Sequence, residues 1–381
     1  MAGSFTCHDL FNIIINIKIK HYKMKRIVLF FLAACIALPL FSQGRGLNIP
    51  NLKGYVTLKC DFHVHTVFSD GAVWPTVRID EAYRDGLDVI AISDHIEYRP
   101  NVVDSHNRSY EIALPYAKAR GIILIKGSEI SREMPPGHSN AIFITDADKL
   151  DTPDYMDAFR AAKAQNAFIF WNHPDFQQAD STRWWPEHTK LLEQGFMYGI
   201  EVVNYWYIPE AHRWCLEHNL TMLGNTDSHT PIPPFAPGKY RAMTLVFASS
   251  ATPEGIREAL DNRRTAVYHN DYVIGEEKYL RELFETSLEW KVEKTNKEEE
   301  MRVTVKNNSG LTFRLKSAAH DPRVIYIRRH TSVVPYVIAP NSTQSFEVRL
   351  LDGIREGDVN FIVENFFVEP DKGMSYTITV K

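Results

Sequence analysis

The stretch DFHVHTVFSDG, Asp61 to Gly71, sets two histidines one residue apart and follows them with a carboxylate. Alternate residues of a strand point to one face, so His63 and His65 can grip a single ion while Asp70 returns past the turn. The same residue types recur at the ends of short apolar runs: Ser93-Asp94-His95, Lys126-Gly127-Ser128-Glu129, Asn172-His173 and Asn225-Thr226-Asp227-Ser228-His229. Gly137-His138-Ser139-Asn140 opens a run instead of closing one, so His138 is expected to approach from the preceding loop. Each motif alone is weak, because a lone histidine on an apolar strand is more often structural and a lone aspartate more often a helix cap. Together, His63, His65, His95, His138, His173 and His229 with Asp70, Glu129 and Asp227 would carry a severe desolvation burden at one pole unless cations neutralised them. Imidazoles with carboxylates suit Zn, Mn or Fe. A ligating imidazole needs its second nitrogen held, and Asp61 and Asp94 are candidates for that. The other histidines (His106, His188, His212, His218, His269, His320, His330) lie in loops, helical stretches or the C-terminal region and read as surface or structural.

These side chains need strands to carry them. From Tyr55 the runs YVTLKCDFH, LDVIAISDH, GIILIKGSE, HSNAIFIT, AFIFWNH, YGIEVVN, LTMLGNTDSH and AMTLVF alternate with amphipathic stretches such as PTVRIDEAYRDG and TPDYMDAFRAAKAQN. Near-continuous apolar strands between helices indicate an α/β fold, and the count fits a distorted β/α barrel over 51–285. The barrel pole where strands end is where chemistry collects. Beyond Leu283 the pattern changes to short alternating strands with turn signals NNSG, APNS and EPDKG, which predicts a small all-β sandwich over 286–381.

Residues 1–50 read as an upstream extension followed by a signal peptide: Met24-Lys25-Arg26 starts a basic region, Ile27 to Phe41 is apolar, and cleavage is expected near Ser42. The chain is then exported, periplasmic or secreted, with no membrane span after processing; LAAC at Leu32–Cys35 is a poor match to a lipoprotein box. Of four cysteines, Cys60 and Cys215 remain and read as buried free thiols, and with no Cys-x-x-Cys there is no support for thiolate zinc. The net charge of −4 gives no case for a nucleic-acid polymer or an anionic membrane as partner, so any anion the chain binds is expected to be attracted locally.

DFHVHTVFSDG, SDH, KGSE, GHSN, NHP and NTDSH, in this order, resemble the motifs of the polymerase and histidinol phosphatase (PHP) family over about Tyr55 to Leu283. The resemblance implies a distorted β/α barrel that hydrolyses a phosphodiester or phosphomonoester, with a small phosphorylated substrate as the expected partner and two or three divalent metal ions. Carried over position by position, it implies one ion on His63, His65, Glu129 and Asp227, with Glu129 bridging to a second on His138 and His173. A third would rest on Asp70, His95 and His229. It further implies a metal-bridging hydroxide as nucleophile, with Asp227 or His229 relaying a proton. Arg99, Arg132, Tyr205 and Trp206 lie on loops near the expected mouth and are candidates to bind substrate, with Trp171 either there or in the core. Two other readings stay open: an amidohydrolase-like amide or ester hydrolase, which also begins with H-x-H, and a metal-stabilised binding module with little turnover.

Overall fold

Every one of the apolar runs forms a strand, and helices form where the period changes. In the computed structural model, which describes residues 46–98, 104–178, 182–319, 321–327 and 336–381, the first part runs β1 (Val56–Asp61), α1 (Pro75–Asp85), β2 (Val89–Ile92), α2 (Arg108–Arg120), β3 (Ile123–Ile130), β4 (Ser139–Ile142) and α3 (Tyr155–Ala164). It continues β5 (Phe168–Trp171), α4 (Pro186–Glu193), β6 (Gly199–Asn204), β7 (Trp206–Tyr207), α5 (Pro209–His218), β8 (Thr221–Asn225), β9 (Met243–Ala248), α6 (Pro253–Asp261), β10 (Thr265–His269), β11 (Tyr272–Gly275) and α7 (Glu277–Ser287). Pro75 starts α1 with a preset φ, and Gly86, left-handed at φ 76, ends it by returning its N–H to the last turn.

β1, β2 and β3 pair in parallel, with Cys60 opposite Val89 and Ile90 opposite Leu124. β4 then runs antiparallel between β3 and β5, after which β5, β6 and β8 are parallel again. The reversal of β4 explains His138: its entry end lies at the pole where the parallel strands finish. On the other edge β1 pairs antiparallel with β9, which leads through β10 to β11. No ladder joins β8 to β9 among the described residues. Instead Thr244 Oγ1 accepts from the Gly224 amide at 2.9 Å and donates to its carbonyl at 3.0 Å, while Thr265 Oγ1 donates to Met222 at 2.8 Å. Gly224 is required there, because a Cβ would lie 2.2 Å from Val267 Cγ1.

The remaining strands are β12 (Leu288–Lys294), β13 (Glu300–Asn307), β14 (Phe313–Ser317), β15 (Val324–Ile327), β16 (Tyr336–Ile338), β17 (Thr343–Leu350), β18 (Gly357–Glu369) and β19 (Lys372–Val380). One sheet is β12-β13-β17-β15; the other contains β16, β14, β18 and β19 and joins the barrel sheet, because β11 pairs in parallel with β18 at Val273 and Phe366. Gly46–Lys381 is accordingly one compact unit, and Phe284 of α7 packs against Phe313 and Phe366 of the β-region, with ring centroids 5.1 and 6.3 Å away. The expected leader of residues 1–50 lies outside the described residues up to residue 45. The last part of that span, 46–50, belongs to the fold: Leu47 is buried and Asn48 accepts from the Gly310 amide at 2.7 Å. Cys60 and Cys215 are buried and unpaired.

Candidate metal centre

His63 Nε2 lies 3.0 Å from His65 Nε2, and Asp227 Oδ1 is 3.0 Å from both. Glu129 Oε2 completes the group at 3.3 and 3.2 Å from the same nitrogens. All four residues are buried. Their outer contacts locate the ring protons. His63 Nδ1 faces Glu201 Oε1 at 2.9 Å, a pure acceptor, so the hydrogen is on Nδ1 and Nε2 offers a lone pair. Ser69 Oγ gives its hydrogen to Asp94 at 2.9 Å and so accepts from His65 Nδ1 at 3.4 Å, again leaving Nε2 bare. Asp227 Oδ1 is buried and faces those two nitrogens. With both imidazoles neutral, four lone-pair atoms thus converge. Ligand bonds of about 2.0–2.2 Å place neighbouring donors about 3.0–3.4 Å apart, the spacing at which Asp227 and Glu129 each face the two imidazoles.

Without a cation, protons take its place. Burial would raise Glu129 and Asp227, but the imidazoles, His95 and His63 foremost for Glu129 and His63 for Asp227, hold both well below the usual carboxylate range. Burial would likewise lower His63 and His65, yet the surrounding carboxylates lift His63 well up and His65 to about 9. Protons and a cation compete for the same lone pairs.

The other expected ligands adjoin this cage. Glu129 Oε1 lies 3.0 Å from His138 Nδ1 and 3.5 Å from His173 Nε2, and accepts from Asn172 Nδ2 at 2.8 Å. Asp70 Oδ2 lies 3.3 Å from His95 Nε2 and 3.2 Å from His229 Nε2. The sets of mutually close donors are His65-Asp70-His95-His229, His63-His173-Asp227, His63-His65-Glu129 and His95-Glu129-His138. All nine residues gather, in sets that overlap. His65 also belongs with the Asp70 group, and His95 joins Glu129 and His138, because its Nδ1 is 3.1 Å from Glu129 Oε2.

The supporting residues depart from expectation. Asp61 holds no imidazole ring: it accepts from the His63 amide at 3.2 Å, from Thr226 Oγ1 at 2.6 Å and from buried Arg241 at 2.5 Å. It ties β1 to the loop carrying Asp227. Asp94 accepts from Thr66 N at 2.7 Å and reaches His65 only through Ser69. Two charged residues were missed. Glu201, fully buried in β6, receives Asn204 Nδ2, Asn225 Nδ2 and the His173 amide at 2.8, 2.9 and 2.8 Å besides His63. Arg78, fully buried on α1, donates to the carbonyls of His65, Ser228 and Thr230 at 2.8, 2.7 and 3.0 Å, clamping together the two ligand-bearing loops. Gly71 lets the first of those loops turn, since a Cβ would meet the His65 carbonyl carbon at 2.6 Å.

Arg132 is tied to Glu97 and, at 3.0 Å, to the Thr152 carbonyl, away from the cavity over the ligands; Arg99 lies outside the described residues. Trp171 is core, stacked on His188 at 3.7 Å and Trp214 at 5.4 Å. Tyr205 and Trp206 do line the cavity, of about 470 Å³, together with Phe176.

His188 is buried and neutral, donating from Nε2 to Pro136, two residues before His138, and accepting at Nδ1 from Trp185 N. Burial pushes it from 6.5 down to about 4. Between those pH values the unfolded chain binds a proton that the folded chain refuses, so stability falls as pH drops from 6.5 to 4, by about 3 kcal/mol from this group. His188→Gln, which can both donate and accept, is expected to flatten that loss in thermal unfolding followed from pH 7 to 4. An unchanged slope would contradict the assignment.

Residues 288–379 match the Ig-like domain family. A crystal structure from Bacteroides vulgatus, of a two-domain protein containing a predicted PHP-like metal-dependent phosphoesterase, is 51% identical with a TM-score of 0.84, covering 89% of this chain and 100% of that one. The chain belongs to the PHP-like metal-dependent phosphoesterases, with an Ig-like domain after the barrel. A stretch of 76 residues is 40% identical to a 5′-3′ exoribonuclease of Haemophilus influenzae, 20% of this chain and 24% of that relative. Endonuclease Q, solved in complex with a 27-mer duplex bearing an abasic lesion, aligns at 13% identity and a TM-score of 0.39 over 58% of this chain and 60% of that one.

The restriction to a small phosphorylated substrate, with nucleic-acid polymers excluded, is therefore corrected: the 76-residue match is to a relative named for acting on RNA. The exclusion rested on net charge, whereas a phosphate held by cations is attracted locally whatever the overall balance.

Proposed function

We propose that this chain hydrolyses phosphate esters at the pole where the nine ligand side chains meet. The single observation carrying the proposal is the convergence of His63 Nε2 and His65 Nε2 with Asp227 Oδ1 at 3.0 Å and Glu129 Oε2 at 3.2–3.3 Å. Divalent ions bound there would supply an activated water and neutralise phosphate charge during in-line attack. The protein's own share is to hold the donors. Glu201 fixes the His63 tautomer, Ser69 with Asp94 fixes that of His65, and Arg78 and Arg241 lock the loops. His229 donates Nδ1–H to the Asp227 carbonyl at 2.8 Å, which turns Nε2 to the cavity beside Asp70; that nitrogen would hold an ion or, in the imidazolium form with no ion on it, pass a proton to a leaving group.

The phosphoester and amide readings separate in one panel. Protein reconstituted with Mn, Zn or Fe is expected to turn over p-nitrophenyl mono- or diesters and to leave p-nitroanilides intact. Anilide hydrolysis without phosphoester hydrolysis would favour the amidohydrolase reading; inactivity on all of them with metal bound would favour a binding module.

A further inference from the structure

Phe176, Tyr205 and Trp206 are among the few large apolar side chains left open, at 50%, 59% and 59% exposure, and all three line the cavity over the ligands. Exposed aromatic surface gathered at one cavity marks a binding surface. Two of the rings are tethered through a polar atom. Trp206 Nε1 donates to Asp175 Oδ2 at 2.5 Å, and Tyr205 OH donates to the Asp227 carbonyl at 2.9 Å. Phe176 packs edge-on to the His138 and His173 rings at 5.6 and 5.1 Å. Tyr205 sits at the tip of a tight hairpin, between Asn204 and Trp206, which pair with each other, and is held at φ 56. A bulky residue in the left-handed region is uncommon and persists where the surroundings impose it.

A second observation points the same way. Asn204, 2% exposed, also lines the cavity; its Nδ2 is committed to Glu201, and its Oδ1 is buried without a partner. A buried acceptor left empty awaits an N–H or O–H from outside. Lysine and arginine are absent from the described lining; away from the candidate metal ligands it consists of the three aromatic side chains, Asn204, Asp175 and Gln177.

Resting on the phosphoester reading above, we infer that Trp206, Tyr205 and Phe176 stack on a planar nucleobase carried next to the scissile phosphate, with Asn204 Oδ1 accepting one of its hydrogens. The base can belong to a free nucleotide or to the terminal nucleotide of a chain.

The test is binding to metal-loaded protein by titration calorimetry, in two arms. One compares AMP with ribose 5-phosphate; the other compares 5′-phosphorylated oligonucleotides whose terminal nucleotide is intact or abasic. Base stacking predicts at least about fivefold tighter binding of the base-bearing partner in one arm or both, and which arm shows it identifies the source. In Trp206→Leu that ratio is expected to fall toward one while ribose 5-phosphate binding stays unchanged. Equal affinity with and without the base in both arms, or equal weakening of both partners in the variant, overturns the inference. Turnover of the same ligands is scored separately: base-selective binding without hydrolysis would sink the phosphoester reading and leave the stacking surface standing.

Discussion

Glu129→Gln is expected to lower phosphoester turnover by at least about a thousandfold, beyond the roughly 10–100-fold typical of losing a ligand's supporting partner. One carboxylate serves the whole centre. Its Oε2 lies 3.3, 3.2 and 3.1 Å from His63, His65 and His95, and its Oε1 lies 3.0 and 3.5 Å from His138 and His173. An amide keeps the shape but removes the charge and turns one acceptor into a donor aimed at imidazoles. The variant should therefore fold, retain Asn172 as a neighbour, and bind less metal than the parent by elemental analysis. Full metal content with full turnover would show that Glu129 is no ligand.

Arg78→Met should destabilise the protein by about 3–5 kcal/mol in urea unfolding, the range for removing one partner of a buried ion pair. Glu81, 2.7 Å from the guanidinium, would be left charged and buried, and the carbonyls of His65, Ser228 and Thr230 would lose their donor. Because those carbonyls belong to the loops bearing His65 and His229, metal affinity should fall as well. Arg78→Lys should restore only part of either quantity, since an ammonium lacks the planar fork that reaches several carbonyls at once. A loss below about 1 kcal/mol in Arg78→Met would remove the clamp from the account.

The strands and the cluster of candidate ligands were legible because both rest on short-range pattern. Alternation put His63 and His65 on one face, and the position of His138 at the start of its run foretold the reversal that β4 shows. The supporting charges were less visible because their partners are remote in sequence. Glu201 did leave a signal: a carboxylate inside the apolar run YGIEVVN must find hydrogen-bond donors if the strand is buried. Arg78 left one too, since it shares a helix face with buried Pro75 and Ala82. Asp61 was misjudged for the opposite reason. Two residues before His63, it looked like a partner for the ring, but Arg241, 180 positions away in sequence, claims its carboxylate. Nor could spacing reveal that one sheet would run from β11 of the barrel into β18 of the Ig-like region, because that pairing joins residues at opposite ends of the α7-to-β18 excursion.

The most direct test of the central claim is anomalous diffraction from crystals of protein purified without chelator and soaked in Mn or Zn. An anomalous peak within about 2.0–2.2 Å of His63 Nε2, His65 Nε2, Glu129 Oε2 and Asp227 Oδ1 is the expected result. No peak there at saturating metal, with the four side chains in place, would contradict it.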